Sequence, residues 1–197
     1  MIAEQTENIE LIETADQARA IAALTMAFAN DPAVRWLFPE ARQYLRHFPD
    51  FAWAFAGRAF DHGTVDNLED HSAAALWLPP NVVPDEAAVG EVLQAGVSEA
   101  RLAEVFAVLE QMGAFHPTEP HWYLPMIGVD PSEQGSGCGS ALLRRGLARC
   151  DAAGLPAYLE STSLRNVPLY ERFGFNAVGQ IKSRNSPPII PMVRAAQ

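Results

Sequence analysis

The chain has 197 residues, of which 49% are hydrophobic and 19% are charged, and its formal net charge is −10. This composition is typical of a folded globular protein, and the length suffices for one well-buried domain but is short for two. Nucleic-acid and anionic-membrane surfaces reward clustered lysine and arginine, so the negative charge disfavours both kinds of partner. It is compatible with a cationic partner such as an amine.

The cysteines and the N-terminus bear on metal binding and on compartment. Cys138 and Cys150 show neither CxxC spacing nor a dense Cys/His set, so we expect no disulfide framework and no metal site. No apolar run reaches transmembrane length, and the opening MIAEQTENIE is acidic and polar, unlike a signal peptide. The sequence therefore predicts a protein of the reducing cytoplasm.

The first third of the chain combines one strand pattern with two helical regions. Apolar and polar residues alternate over Asn8–Thr14, which predicts a strand, and a helix is expected from Gln17 to about Ala29. A second helical region covers Ala41–Phe60, and Pro49 is expected to begin its second half, because proline is favoured at the first helical position. Its aromatic residues are interpreted mainly as core, with a substrate cavity as the alternative: Tyr44, Phe48, Phe51, Trp53, Phe55 and Phe60.

The middle of the chain continues this mixture of strands and helices. Gly63–Asn67 and Ser72–Leu78 have the pattern of an antiparallel pair of strands. Helical periodicity then predicts one or two helices over Asp85–Ala95 and Ser98–Met112.

The stretch His121–Ser140 carries the strongest functional pattern. A strand ends at Val129, Asp130 and Pro131 break it, and a glycine-rich loop leads into a helix predicted over Gly139–Ala153. Such a loop places backbone N–H groups at a helix N-terminus, where they suit a phosphate or pyrophosphate, and a tight turn without a ligand is the alternative. Pro125 lies inside the strand and indicates an edge, a bulge or a local parting of strands, because proline donates no ladder hydrogen bond.

The remaining elements are short. The sequence predicts a buried strand at Ala157–Ser161, a helix at Asn166–Phe173, and a closing pair of strands, Phe175–Gln180 and Ile189–Arg194. Arg145 and Arg149 lie one turn apart on the preceding helix, and we favour a solvated pair over a phosphate contact.

Two motifs resemble those of the GNAT acyltransferase family. The first is [Q/R]-x-x-G-x-[G/A] between a strand and a helix, present here as QGSGCG from Gln134 to Gly139. The second is an acid at a strand end followed by N-x-x-x-Y-x-x-x-G-F, present as Glu160 and then Asn166 to Phe175. With the flanking HWYL and AALWLPP segments, the chain looks most similar to the branch that includes puromycin N-acetyltransferase.

This resemblance implies a fold and a division of labour along the chain. The fold would be α/β (α+β), with a central mixed and mostly antiparallel sheet of six or seven strands, splayed at the CoA site and flanked by helices. Residues 1–197 would form a single domain, in which 1–120 is the acceptor side and 121–197 binds acetyl-CoA. The partner would be a small-molecule amine, and the sequence leaves monomer and homodimer open.

The resemblance also implies roles for individual residues. Tyr170 would protonate the leaving thiolate, and Asn166 would contact the CoA arm. Ile127, Gly128 and Val129 would run along the pantetheine arm, with a backbone N–H polarising the thioester carbonyl. The pyrophosphate would be held by the backbone amides of Gln134, Gly135, Ser136, Gly137, Cys138 and Gly139 and by the Ser140 hydroxyl, with Cys138 acting as a small space-filler and not as a nucleophile.

The chemistry of amine acetylation requires a neutral amine, a stabilised oxyanion and a proton for the sulfur. Glu160 is the first candidate for the base, acting directly or through water, and a structural strand-end carboxylate is an equal alternative. His121 is a weaker candidate, and an α-amine, with a pKa of roughly 7.7–8.0, hardly needs a strong base.

Two other functions fit parts of the pattern. A dinucleotide-binding oxidoreductase would use Gly135 and Gly137 before a helix, but the third glycine of that fingerprint would fall at Ser140, and the chain ends in antiparallel strands. A non-catalytic acyl-CoA sensor would keep the loop without needing Tyr170. CoA release with a panel of amines separates these hypotheses from acetyl transfer.

Overall fold

A computed structural model describes residues 16–68 and 71–197. The predicted strand Asn8–Thr14 lies outside these residues. The helices are α1 (16–27), α2 (Pro32–Leu37), α3 (Ala41–Ala56), α4 (Arg58–Asp61), α5 (Glu86–Gly96), α6 (Glu99–Phe115), α7 (Cys138–Ala152) and α8 (Val167–Arg172). None of these described helices has the length and apolar character needed to cross a membrane.

The described strands form one mixed sheet of six, in the order β1-β2-β3-β4-β6-β5. All neighbours are antiparallel except β3 and β4, which are parallel. This arrangement confirms the predicted mostly antiparallel sheet flanked by helices. The strands are β1 (Val65–Asn67), β2 (Ala73–Leu78), β3 (Trp122–Val129), β4 (Ala157–Ser161), β5 (Asn176–Ala177) and β6 (Ile190–Arg194).

The parallel strands β3 and β4 pair only at their first residues. Trp122 pairs with Ala157 and Tyr123 with Tyr158, after which β3 continues for six residues without β4 as a partner. The register between β2 and β3 also shifts between Leu76 and Leu78, which places a bulge opposite Pro125. The expected parting of strands near this proline is therefore confirmed, because a residue without an N–H cannot extend a ladder.

The sheet separates two apolar layers. Ala74, Leu76 and Leu78 of β2 face the layer formed with α1 to α6, whereas Ala73, Ala75 and Trp77 face α7 and α8. All six residues of β2 are buried, because helices cover both faces of this central strand. The second strand of the predicted hairpin therefore holds the two layers together.

Helix α3 differs from the prediction for Pro49. The helix runs without a break from Ala41 to Ala56, and Pro49 lies inside it and not at the start of a second helix. The hydrophobic stripe of α3, with Tyr44, Phe48 and Phe51 buried, supplies packing that offsets the lost backbone hydrogen bond. Of the aromatic residues expected in the core, Trp53 is instead 47% exposed.

Helix α7 is anchored to the sheet by close packing and by a buried carboxylate. Asp66 of β1 is 1% exposed and accepts hydrogen bonds from both terminal nitrogens of Arg149, at 2.9 and 2.6 Å. Arg145 Nε lies 2.9 Å from the same carboxylate. The interpretation of the two arginines as a solvated pair holds for Arg145, whose side chain is 69% exposed, but not for Arg149, which is 29% exposed and paired with the buried Asp66. The sequence did not indicate this ion pair, because it forms only once β1 packs beside the helix.

The C-terminal pair of strands is confirmed but shorter than expected. β5 contains only Asn176 and Ala177, and both pair antiparallel with β6. Arg194, which is 4% exposed, ends β6 with a two-nitrogen contact to Asp151 of α7, at 2.7 and 2.9 Å. This ion pair ties the last strand to the end of α7 and holds the pKa of the Asp151 carboxyl below its usual value.

Candidate active site

The loop of residues 134–140, here called the glycine loop, follows β3 and the one-turn 3-10 helix Pro131–Glu133. Gly135 and Gly137 have φ angles of 87° and 97°, in the left-handed region that glycine adopts without a Cβ clash. Asp130 fixes the entry to the loop, since its carboxylate accepts bonds from the N–H and the hydroxyl of Ser132, at 2.8 and 2.6 Å. Residues 134–137 are exposed, so the loop presents its backbone to solvent.

The first turn of α7 presents unpaired backbone donors to this loop. The first helical hydrogen bond runs from the N–H of Ala141 to the carbonyl of Gly137, at 3.0 Å. The amides of Cys138, Gly139 and Ser140 therefore lie ahead of the ladder, at the positive end of a 15-residue helix. Such an end suits a phosphate group, and binding of the CoA pyrophosphate by this loop stays a prediction.

Two side chains of the glycine loop turn back on the chain. Gln134 Nε2 donates to the carbonyl of Val129 at 3.2 Å, and Ser136 Oγ donates to the carbonyl of Glu133 at 2.6 Å. Cys138 Sγ lies 3.0 Å from Ser136 Oγ, and the thiol is not in a disulfide. These contacts order the loop, and the N–H of Ser136 also donates to the carbonyl of Glu133, at 3.3 Å, so this one amide is already paired.

The C-terminal half of β3 has a free edge toward β4. Ile127, Gly128 and Val129 pair with β2 on one side and with no described strand on the other. A Cβ on Gly128 would lie 2.6 Å from the Cβ of Ala27, so α1 packs directly on the strand here. The edge is thus available for the strand-like pairing expected of a pantetheine arm, and that role stays a prediction.

Tyr170 and Asn166 occupy the short helix that follows β4. Tyr170 is buried, and burial, with a further contribution from the Asp31 carboxylate, raises the pKa of its phenol well above the usual value. The phenol therefore remains protonated and able to donate. Asn166 is exposed at the N-terminus of α8, and its carbonyl accepts from the N–H of Tyr170 at 3.3 Å.

Asp31 joins helix α2 to the residues that follow β4. Its Oδ1 accepts from the N–H groups of Ala33 and Val34, at 2.9 and 3.0 Å, and so caps α2. Its Oδ2 accepts from the Thr162 hydroxyl at 2.6 Å, just beyond the end of β4. Burial raises the pKa of this carboxyl despite those hydrogen bonds. Asp31 was not singled out from the sequence, where Asn-Asp-Pro indicated only the end of a helix.

A cavity of 670 Å³ is lined by residues of α3, α5, α6 and the start of β3, and we call it the histidine cavity. Its volume is in the usual range for small-molecule sites, about 300–1,000 Å³. Both His116 and His121 line it, and Glu86, Glu110 and Glu119 supply its acidic groups. Apolar side chains from α3, α5, α6 and the loop before α5 complete the wall: Phe55, Val82, Val83, Val89, Phe106, Leu109 and Met112.

Glu160 lies where the histidine cavity meets the parted strands. It follows Tyr158, the last residue of β4 that pairs with β3, by two positions, and its side chain is 3% exposed. Glu160 Oε1 lies 3.3 Å from Nε2 of His116 and makes no well-aligned hydrogen bond. The buried hydroxyls of Tyr123 and Tyr158 face the same carboxylate, and they too have no well-aligned partner.

This group of buried polar atoms needs partners. Each phenol can donate its O–H to the Glu160 carboxylate, whose hydrogen bonding influences both tyrosines. An ionised carboxylate has more acceptor positions than these two donors fill, so the group that fits beside Glu160 is a further donor such as an amine or ammonium. The arrangement therefore places an acceptor of protons beside the gap between β3 and β4.

His116 is the member of this group that the sequence analysis missed. It ends α6, and its ring packs against the rings of Tyr123 and Tyr158, at centroid distances of 4.6 and 4.4 Å. In the sequence it precedes a Pro-Thr-Glu-Pro turn with no motif around it. The one available signal was a second histidine, His121, at the far end of the same turn.

Comparisons with known proteins agree with this architecture. The chain is 29% identical, over 83% of its length and 72% of the relative's, to the uncharacterized N-acetyltransferase C550.08 of Schizosaccharomyces pombe. A crystal structure from Corynebacterium glutamicum, described as histone acetyltransferase HPA2 and related acetyltransferase, superposes with a TM-score of 0.64 at 27% identity, covering 93% of this chain and 92% of that one.

A more distant structure shares the fold alone. Arylalkylamine N-acetyltransferase 2 of Aedes aegypti superposes with a TM-score of 0.63 at 10% identity, covering 93% of this chain and 96% of that one. The profile of the acetyltransferase (GNAT) family matches residues 50–175, which is more than half of the chain and includes both motifs. The chain is an acetyltransferase that belongs to the GNAT family.

Proposed function

We propose that this protein transfers the acetyl group of acetyl-CoA to the amine of a small molecule that binds in the histidine cavity. The observation that carries the proposal is the position of Glu160. Its carboxylate lies on the splayed part of β4 and also contacts His116, which lines the cavity. The Glu160 carboxylate, which is buried and incompletely paired, thus lies beside the gap between β3 and β4 and also beside the wall of the cavity.

Each part of the proposed reaction has a candidate residue in this chain. Acetyl-CoA supplies the thioester, and the amides of the glycine loop and the free edge of β3 would hold its pyrophosphate and pantetheine arm. Glu160 would accept a hydrogen bond from the amine and take its proton, directly or through the neighbouring His116. Tyr170, whose phenol stays protonated, would donate to the departing sulfur.

The histidine cavity favours a particular class of acceptor. Its wall is largely apolar and aromatic, and its charged side chains are acidic. An amine with an apolar or aromatic body fits this combination, because the body buries apolar area while its cationic group is attracted by the carboxylates. We propose on this basis, and on the motifs, the branch that includes puromycin N-acetyltransferase. The Aedes aegypti protein that shares this fold is named for arylalkylamines, which is consistent with such an acceptor.

A panel of acceptors tests the proposal. Purified protein with acetyl-CoA is given phenethylamine, tyramine, agmatine, puromycin or a lysine-containing histone peptide, and released CoA thiol is measured. We expect release with at least one small amine and acetylation of that amine by mass spectrometry. The histone peptide is included because the Corynebacterium glutamicum structure is described as a histone acetyltransferase.

Two results would contradict the proposal. If the histone peptide is acetylated efficiently and every small amine is inactive, the acceptor is a lysine side chain of a protein and not a small molecule. Tight acetyl-CoA binding in calorimetry with no turnover of any acceptor would indicate a sensor. Glu160→Gln should lower kcat for the active amine, while CoA affinity, measured as the control, stays unchanged.

A further inference from the structure

The two histidines of the cavity form a chain of ring nitrogens that ends at Glu160. His121 Nδ1 lies 2.8 Å from the carbonyl oxygen of Glu119. His121 Nε2 lies 3.4 Å from Nδ1 of His116, and His116 Nε2 lies 3.3 Å from Oε1 of Glu160. A carbonyl oxygen only accepts hydrogen bonds, so one end of this chain has a fixed direction.

That direction sets the tautomer of each ring. His121 donates Nδ1–H to the carbonyl, so in its neutral form Nε2 carries a lone pair. His116 then donates its own Nδ1–H to that lone pair, which leaves the His116 Nε2 lone pair directed at Glu160. Burial lowers the pKa of His121, although its hydrogen bond to the Glu119 carbonyl and the charge of Glu160 act in the opposite direction, so the neutral form needed for this role is favoured.

We infer that His116 is the proton acceptor for the amine, with Glu160 as the group that receives the amine hydrogen bond and His121 as the positioning residue that fixes the His116 tautomer. This inference rests on the proposed acetyl transfer and adds to it a residue and a route for the proton. A lone pair at His116 Nε2 and a carboxylate oxygen 3.3 Å away are two acceptors facing each other. A proton brought between them by the ammonium group of the substrate completes the chain.

The surroundings of His116 support this assignment. Its ring is held between the rings of Tyr123 and Tyr158, so it keeps one orientation. Within the described residues, the titratable groups that face it are His121, Glu160 and these two phenols. The side chain is 28% exposed on the cavity wall, where water can receive a proton.

The proposed step balances as follows. An N–H bond of the bound ammonium breaks, its electron pair stays on nitrogen, and the proton passes to the His116–Glu160 pair. The amine nitrogen then forms a bond to the acetyl carbonyl carbon while the carbonyl electron pair moves to oxygen. That pair returns as the carbon–sulfur bond breaks with its electrons on sulfur. Tyr170 donates its phenol proton to the sulfur, and the second proton lost by the nitrogen, as it becomes an amide, restores the phenol. His116 releases the proton to cavity water, which restores the lone pair for the next turnover.

The kinetic test uses His116→Ala, with the exposed His62→Ala as the matched control. For the best amine of the panel, kcat/KM of the wild type should fall at low pH, because protonated His116 has no lone pair. His116→Ala should lose about 10²–10⁴-fold in kcat and should lose this acidic limb of the profile. Added imidazole, which the 670 Å³ cavity can admit, should restore part of the rate. His62→Ala should match the wild type.

A second measurement needs no substrate. Ring ¹⁵N shifts of the wild type, assigned with the two variants and His121→Gln, report which nitrogen of each histidine carries hydrogen. We expect the Nδ1–H tautomer for both His116 and His121 in their neutral forms. His121→Gln should release His116 toward the Nε2–H tautomer that free imidazole side chains prefer, with folding checked by thermal melting.

The outcomes distinguish failure of the proposed acetyl transfer from failure of the proposed role of His116. A wild type inactive with every acceptor overturns the proposed function, and the ¹⁵N shifts then decide the histidine chain by themselves. An active wild type overturns the role of His116 if His116→Ala keeps the acidic limb or if imidazole restores nothing while CoA affinity is intact. An Nε2–H tautomer at His116 in the free protein also overturns it.

Discussion

The glycine loop and the histidine cavity lie at opposite ends of β3, and they offer a ligand different kinds of group. The glycine loop is exposed and presents main-chain amides at the start of α7. The histidine cavity presents side chains, and behind its wall His116 contacts the buried carboxylate of Glu160. A loop of amides suits any ligand with a phosphate group, whereas a cavity shaped by side chains selects one acceptor. This difference is the one expected if, as proposed, the glycine loop holds the cofactor and the cavity holds the acceptor.

This comparison is tested most strongly at Gly137. Gly137→Asp adds a Cβ at a φ of 97° and a negative charge beside the proposed pyrophosphate. Losing two charge-assisted hydrogen bonds, at about 1.5–3 kcal/mol each, should weaken CoA binding by at least about 100-fold in calorimetry. Gly154→Asp, at a φ of 65° beyond the far end of α7, is the control for backbone strain. Equal CoA affinity in the two variants would show that the loop does not hold the pyrophosphate.

Tyr170 tests the chemical step that lies between the two sites. Tyr170→Phe keeps the ring and removes the donor, so kcat should fall by about 10²–10⁴-fold while the KM for acetyl-CoA changes little. Tyr44→Phe is the matched control, since Tyr44 is also buried but donates to the carbonyl of Thr25 in the core. That control should affect melting temperature and not kcat. Near-full turnover of Tyr170→Phe, with chemistry shown to be rate-limiting, would exclude the phenol as the acid.

Asp66 tests whether the glycine loop depends on the anchoring of α7. Asp66→Asn removes the charge that pairs with Arg145 and Arg149, and because both arginines keep access to solvent, the expected cost is that of a lost charge-assisted hydrogen bond, about 1.5–3 kcal/mol of unfolding free energy. Asp85→Asn disrupts an exposed pair with Arg58, at 3.8 Å, and should cost about 0–1 kcal/mol. Urea denaturation measures both. Similar stability of the two variants would show that the ion pair at Asp66 adds little.

The smallest expected effect is on the cavity side of the comparison. Gly113 of α6 lines the cavity, and a Cβ there would have no atom within 4 Å. Gly113→Phe should fill part of the cavity and raise the KM of the active amine by about 10–200-fold, while CoA affinity stays the same. Gly113→Ala, which adds little volume, should leave this KM unchanged and stabilise the helix by about 0.5–1 kcal/mol. An unchanged KM in the Phe variant would place the acceptor elsewhere.

The local structure around the glycine loop could be predicted well from sequence. The strand, the glycine loop and α7 follow one another directly, so their relative placement depends on local geometry and on which residues lack a Cβ. Pro125 likewise indicated the parting of β3 from β4, because a missing N–H has the same consequence in any sheet. The prediction that Pro49 begins a second helical segment was wrong. Burial of one face of α3 along its whole length outweighed the local preference of proline for a helix start.

The sequence by itself therefore determined the family, the interruption of strand pairing at Pro125 and the residues of the glycine loop, because each depends on neighbours along the chain. Tertiary structure alone decided the pairing of Asp66 with Arg149, which are 83 positions apart, and the contact between His116 and Glu160. The sequence gives the charge of a side chain but not the residue with which it pairs. That residue is decided by tertiary packing, because a buried polar group needs hydrogen bonds and can form them only with the groups that packing brings near it.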